Sequence, residues 1–237
     1  MRGPVLWLAI LVMAGLTVAV LAPRFLSAKI SWNDWAAMAT LRNLAYCQAQ
    51  IQVAGRIDCD GDGVGEFATF AEMTGGCGVR LDAEGCKRGN PISPAVLSPS
   101  LRIGDEGALV VKSGYCFRIV LPARGGGPTR EGKPGMPLLA PVDADAAEKH
   151  WCAYAWPEED WGELKGESLL HNRVFYVDEG GAVWQTLNQD RRYASRDRGP
   201  SWDAAMPEDG WGTAWASPPP GAVEVRGRDG NLWRKTR

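Results

Sequence analysis

Histidine is nearly missing from this 237-residue sequence, with His150 and His171 the only two. They are the only side chains placed to act as general bases near neutral pH, and neither sits in an HExxH array, so a zinc protease is excluded. No Gly-x-Ser-x-Gly elbow is present. None of the six cysteines forms a CxxC pair, which leaves a Cys/His zinc site poorly supported. Lys/Arg clusters are also absent, so nucleic acid is not an expected partner. The stretch Gly127-Pro-Thr-Arg-Glu-Gly132-Lys133-Pro134 follows a phosphate-loop outline until its last position. There Pro134 replaces the hydroxyl that would ligate magnesium, and no strand-loop-helix surrounds it, so no nucleotide is expected. His150 reads as a helix-terminus residue. Glu158 and Asp160 have the chemistry of a glycosidase pair, but acidic turns are common and nothing selects this one. Together these absences point away from an enzyme.

What the sequence does have is an apolar run and an unusual number of indoles. Residues 4–23, PVLWLAILVMAGLTVAVLAP, carry no charge, and Thr17 is their only hydroxyl side chain. About 20 apolar residues match the hydrocarbon thickness of a bilayer. The run therefore predicts a transmembrane anchor over residues 1–29 and a separate domain over 30–237. A cleaved signal peptide is the alternative. Pro23 blocks a cut after Ala22, whereas a cut after Ala28 stays open. Eleven tryptophans recur from Trp7 to Trp233. Such rings mostly fill cores, but Trp161, Trp211 and Trp215 are candidates for a platform that stacks on glycan.

Arg2 and the N-terminal amine balance Arg24 and Lys29, so the positive-inside rule does not orient the anchor. The cysteines do. All six follow the apolar run, and an even set in an exported chain predicts disulfides. The expected placement is a single-pass inner (plasma) membrane protein with its C-terminal domain outside the cytoplasm. Candidate pairs are Cys77 with Cys86, Cys116 with Cys152, and Cys47 with Cys59, among fifteen connectivities that six cysteines allow.

Charged residues at 23% and hydrophobic ones at 45% are those of an ordinary folded domain. Ser31-Trp-Asn-Asp34 opens a second, amphipathic helix that Gly55 ends, and with a short break after Pro23 the two helices make a broken rod. A short helix is expected over 66–73 and another over 143–150. From residue 107 the hydrophobic period becomes two. Strands over 108–112 and 115–121 form a hairpin across Ser113-Gly114, with Tyr115, Phe117, Ile119 and Leu121 on one face and Cys116, Arg118 and Val120 on the other. Further strands are expected over 151–156, 173–178 and 182–187. Residues 122–139 read as an exposed loop, and the tail past Tyr193 as a Trp-, Gly- and Pro-rich segment with Pro218-Pro219-Pro220 a rigid spacer. The fold class is α+β: an amphipathic helix on an antiparallel sheet, with long irregular loops.

The most specific local signal is Asp58-Cys-Asp60-Gly-Asp62-Gly63-Val64-Gly65-Glu66. Alternate oxygen ligands on a turning backbone suit a hard cation. Asp58, Asp60 and Asp62 stand at positions one, three and five, the Val64 carbonyl at seven and Glu66 at nine. Thr69 replaces the bidentate glutamate of position twelve. A turn held by the carboxylates themselves is the plainer alternative. The expected cofactor is a structural Ca2+.

The apolar run, followed by Ala39-Thr-Leu-Arg-Asn-Leu-Ala45-Tyr-Cys-Gln-Ala-Gln50, resembles the stalk of bacterial type IV pilin-like and pseudopilin-like proteins. Ser113-Gly-Tyr-Cys-Phe117, Trp151-Cys-Ala-Tyr-Ala-Trp-Pro157 and Arg173-Val-Phe-Tyr-Val177 resemble blocks of exported proteins of that shape. The likeness implies a non-enzymatic structural or interaction role, with the membrane, other pilin-like subunits or envelope proteins as partners. Leu8 stands where pilins carry an assembly glutamate, and Pro4 follows Gly3 where a prepilin would be cut. A Trp-rich binding module for glycan or protein is the second reading.

Overall fold

From Ile30 onward, apolar and buried residues recur at alternating steps of four and three: Ile30, Asp34, Ala37, Leu41, Leu44, Gln48 and Ile51 are all buried. That spacing makes one stripe on an α-helix. In the computed structural model, which describes residues 3–104, 109–132, 136–159, 173–188, 192–207 and 215–236, the stripe belongs to a single helix, α1 (Gly3–Val53). The helix runs on through Pro23, so the expected break there is absent. Trp32, Trp35 and Tyr46 lie on its solvent side.

The expected inner-membrane placement does not stand. Among the described residues, no helix is long and apolar enough to cross a membrane. A span needs roughly 20 apolar residues. The second half of α1 belongs to the folded head.

That head is α+β. Strands β1 (Val110–Lys112), β2 (Tyr115–Pro122), β3 (Pro128–Thr129), β4 (Cys152–Pro157), β5 (Val174–Asp178), β6 (Trp184–Thr186), β7 (Glu224–Arg226) and β8 (Leu232–Lys235) form one antiparallel sheet in the order β1-β2-β4-β5-β6-β8-β7, with β3 beside β2. The period-two reading of β2 holds. Tyr115, Phe117, Ile119 and Leu121 join the core under α1, and Cys116 and Val120 join a second core behind the sheet. Ala153 and Ala155 on β4 face the α1 side, where small side chains let the helix approach. The tail is no loose spacer. Tyr193, Ala204, Ala205, Met206, Trp215 and Trp233 pack the second core, against Tyr154 and Tyr176. Both faces of the central strands are therefore buried, which sequence alternation alone did not show. Of the expected short helices, α2 (Phe70–Met73) keeps only its end, capped reciprocally by Thr69 and Glu72, and α3 (Ala144–Ala147) is capped by Asp143.

All six cysteines are free. Sheet register explains one failed pairing: Cys116 lies opposite Trp156, and Cys152 opposite Val120, four residues further along the ladder. At strand rise this is a separation of about 13 Å, twice the Cα distance a disulfide spans. Cys86 sits at a turn, its N–H bonded to Asp82, while Cys77 lies several residues down the limb that pairs Arg80 with Arg88. The thiols of Cys47 and Cys59 engage different carbonyls, those of Val96 and Arg80.

Residues 54–104 contain almost no regular structure, so their order needs another source. Arg80, fully buried, supplies it. Its guanidinium meets Glu72 at 2.7 Å, Glu66 at 3.0 Å and the Phe67 carbonyl at 2.6 Å. Glu72 also accepts from the Arg80 and Thr69 N–H groups and from Arg88. Burial alone would raise the Glu72 pKa, but the Arg80 charge and these N–H bonds outweigh it and hold the carboxyl below its usual value. Beside this network the Gln48 side chain both donates to and accepts from the backbone of Ala68 at 2.8 Å, fastening the segment to α1.

Arg80→Met, which leaves buried Glu66 without its cation and Glu72 with Arg88 alone, is expected to cost about 3–5 kcal/mol in urea unfolding. Adding Glu66→Gln and Glu72→Gln should recover part of that loss. A cost below about 1 kcal/mol for the single variant would show that the network is not what orders this segment.

A second polar contact seats α1 on the sheet. The Tyr115 hydroxyl donates to Asp34 at 2.6 Å and reaches the Arg173 carbonyl at 3.0 Å. Burial pushes the Asp34 carboxyl up to about 6, against the Tyr115 bond and the Arg173 charge. An unfolded Asp titrates near 3.9, so between about pH 4 and 6 the folded state holds a proton that the unfolded state has lost. Stability from this group is thus present at low pH and fades on the order of 2 kcal/mol as pH rises to about 6. Asp34→Asn should remove that slope from the wild-type profile. Parallel pH profiles for the two proteins would refute the assignment.

Candidate metal centre

The loop at residues 58–66 turns tightly because its glycines adopt left-handed backbone, Gly61 at φ 78° and Gly63 at φ 90°. Its carboxylates do much of the turning. Asp58 accepts from the N–H groups of Gly61 and Gly63, Asp60 from that of Asp62, and Asp62 from that of Val64. These are Asx turns, and they hold the chain in shape whether or not an ion is present.

Only part of the expected ligand set converges. Asp60 and Asp62 offer carboxylate oxygens to a cluster completed by Asp145 and Glu148, the four atoms all within 4.8 Å of one another. Such a cluster could hold a metal ion. Asp58 is not in it, being spent on backbone N–H groups. Val64 is exposed and enters only as a donor. Glu66 points inward instead, accepting from the Cys59 N–H at 2.7 Å and pairing with Arg80. The demand of the buried guanidinium for a counter-charge explains why position nine is lost to the loop.

Asp145 and Glu148 come from α3 and its C-cap, far along the chain. The sequence held one signal for them: residues three apart on a helix share a face, and the Asp143 cap fixes where that helix begins. What it could not show was that this face meets the loop. The meeting is arranged by two bonds, Phe67 N–H to the Ala147 carbonyl at 2.9 Å and the Gln52 amide to the Glu148 carbonyl at 2.6 Å.

Glu148 is the unusual member. The residue is 7% exposed, and its Oε1 is buried without any hydrogen-bond partner. Desolvation, then the charges of Asp62 and Asp60, push its carboxyl above the ordinary value.

Among the described residues, the other candidates do not assemble into a reaction centre. His150 bonds Glu179 at 2.9 Å, and Glu179 also accepts from Ser217. Glu158 pairs with Arg196 at 2.7 Å. His171, Asp160, Trp161 and Trp211 lie outside the described residues. Trp215 is buried and packs on Trp202 with ring centroids 5.0 Å apart, so it is no exposed platform. In the Gly127–Pro134 stretch, Glu131 accepts from the Phe70 and Ala71 N–H groups, and burial, first among its causes, raises it to about 7. It borders a cavity of about 190 Å3 with Arg88 and Arg102. A second, polar cavity of about 510 Å3 lies between Arg173 and Arg234. Among the described residues lining either one, there is no histidine and no pair of carboxylates.

No protein-family model, no curated protein and no solved structure matches the chain.

Proposed function

We propose that this chain is a non-enzymatic structural or interaction protein of pilin-like build, in which α1 is a docking rod and the sheet a head. One observation carries the reading. Seating on the sheet begins at about Ile30, yet α1 starts at Gly3, and on its outer part Trp7 and Leu11 are each 67% exposed, with Ile10, Val12 and Met13 beside them. An apolar helical surface of this kind marks an interaction site. The partner that fits it is the same segment of a second copy, helix against helix. With Leu8 in place of a glutamate, association rests on apolar packing without a buried charge. The cavities and the paired histidine give no support to a hydrolase.

The full chain is expected to self-associate at micromolar concentration in light scattering, and the double variant Leu11→Glu, Met13→Glu to be monomeric. A wild-type protein that stays monomeric over the same range would overturn the proposal.

The acidic cluster completes the reading as a structural Ca2+ site that clips the loop to the head. Removing calcium with EGTA should lower the Tm of the purified protein. With calcium at about 100 times its Kd the linkage is worth about 2.7 kcal/mol, or on the order of 5–10 °C for a chain of this size. An unchanged Tm together with no heat of binding would refute the calcium role.

A further inference from the structure

We infer that the calcium site spans two elements, the loop at residues 58–66 and α3, with Glu148 its decisive ligand, and that its occupancy holds the end of α1 in place. This rests on the calcium reading above and says where the ion sits and what it does.

The unpartnered oxygen of Glu148 is the pointer. Three of the four cluster residues, Asp60, Asp62 and Asp145, are exposed and can keep their water. Glu148 cannot: its Oε1 is out of solvent and bonded to nothing in the protein. A buried carboxylate oxygen left without a partner is costly, and native proteins rarely keep one without a use. It sits where three other carboxylates converge, so a cation would satisfy it and cancel their repulsion together.

The donor set and its size choose the ion. All four donors are carboxylate oxygens, with no nitrogen or sulfur, which favours Ca2+ or Mg2+ over zinc or copper. Oxygens within 4.8 Å of one another are close enough to share one ion with the 2.3–2.6 Å bonds that Ca2+ makes. Mg2+ demands near-ideal octahedral geometry at about 2.0–2.1 Å and prefers to keep its waters, which a cluster of protein carboxylates does not favour.

The coupling follows from α3. Its last residues carry the carbonyls that receive Phe67 N–H and the Gln52 amide, so α3 is keyed both to the segment leaving the loop and to the last turn of α1. An ion that ties the Asp60 and Asp62 turn to Asp145 and Glu148 closes a ring: α1, loop, ion, α3 and back to α1 through Gln52.

The test uses the full chain and titration calorimetry with Ca2+ or Mg2+ alone. Wild type is expected to bind Ca2+ at least tenfold more tightly than Mg2+. Glu148→Gln and Asp145→Asn should each weaken Ca2+ by tenfold or more. Glu148→Gln removes a buried unpaired charge, so its calcium-free Tm should rise while the calcium-induced shift disappears, a pattern that general misfolding does not give. In hydrogen exchange, Ca2+ should slow residues 58–66, 144–148 and the last turn of α1, and Gln52→Leu should abolish the protection of α1 alone. If wild type binds no calcium, the calcium reading itself fails. If wild type binds it and both variants bind as tightly, the reading survives and this inference falls. Mg2+ binding as tight as Ca2+, or no protection at α1, would equally overturn the inference.

Discussion

A guanidinium with no access to water must have its charge answered inside the protein, and the organisation of the first half of the head follows from how Arg80 is answered. Glu66 and Glu72 approach from either side, and Phe67 gives a carbonyl to the same group. This brings three stretches of an otherwise irregular segment to one point. The single-turn helix α2 begins beside that point, its Thr69 cap sharing the Glu72 carboxylate. A buried ion triad is a poor source of net stability against an apolar replacement, but it is demanding about geometry. Here it works as a positioning device: it fixes where the acidic loop begins its turn and where it ends. It also turns the Glu66 carboxylate away from the other acids of that loop.

The sheet is held from both sides by unlike material. One side carries α1, whose stripe of Ala37, Leu41, Leu44 and Ile51 is smooth and regular. The other is closed by the tail, with aromatic rings from Trp233, Tyr154 and Tyr176 meeting edge to face or tilted. Tilted and edge-to-face arrangements suit the ring quadrupoles, and they let bulky groups fill an uneven surface that a helix would bridge. Trp156, Trp184, Trp202, Trp215 and Trp233 belong to this second core, whereas Trp7, Trp32 and Trp35 are exposed on α1.

Local patterns were readable in the sequence, and long-range meetings were not. The alternation in β2 and the Ser113-Gly114 turn, where both residues take positive φ, announce a hairpin without outside help. The head half of α1 and the Asx turns of the acidic loop are equally local. What escaped was set by partners distant in sequence. The pairing of Arg80 with Glu66 turns an expected ligand away from the loop, α3 brings two other carboxylates up to it, and the register that offsets Cys116 from Cys152 depends on how two strands align. β7 and β8 escaped because two short strands in a Gly- and Pro-rich tail give too few residues for a period to show. The apolar run was read from composition as a membrane span. Among the described residues its helix continues unbroken into the head, and no helix there is long and apolar enough to cross a bilayer.

The position of β8 sets an order of events. It lies between β6 and β7, and Thr236 closes back on Val183 across 53 residues. Pairing so remote in sequence is reached only after much loop entropy has been lost, which makes it a slow step. As the chain emerges from synthesis, β2, β4 and β5 can align early. Their rear face, with Tyr154 and Tyr176, must then wait uncovered until Trp233 arrives. The interval in which this protein is most open to wrong partners is written into its strand order.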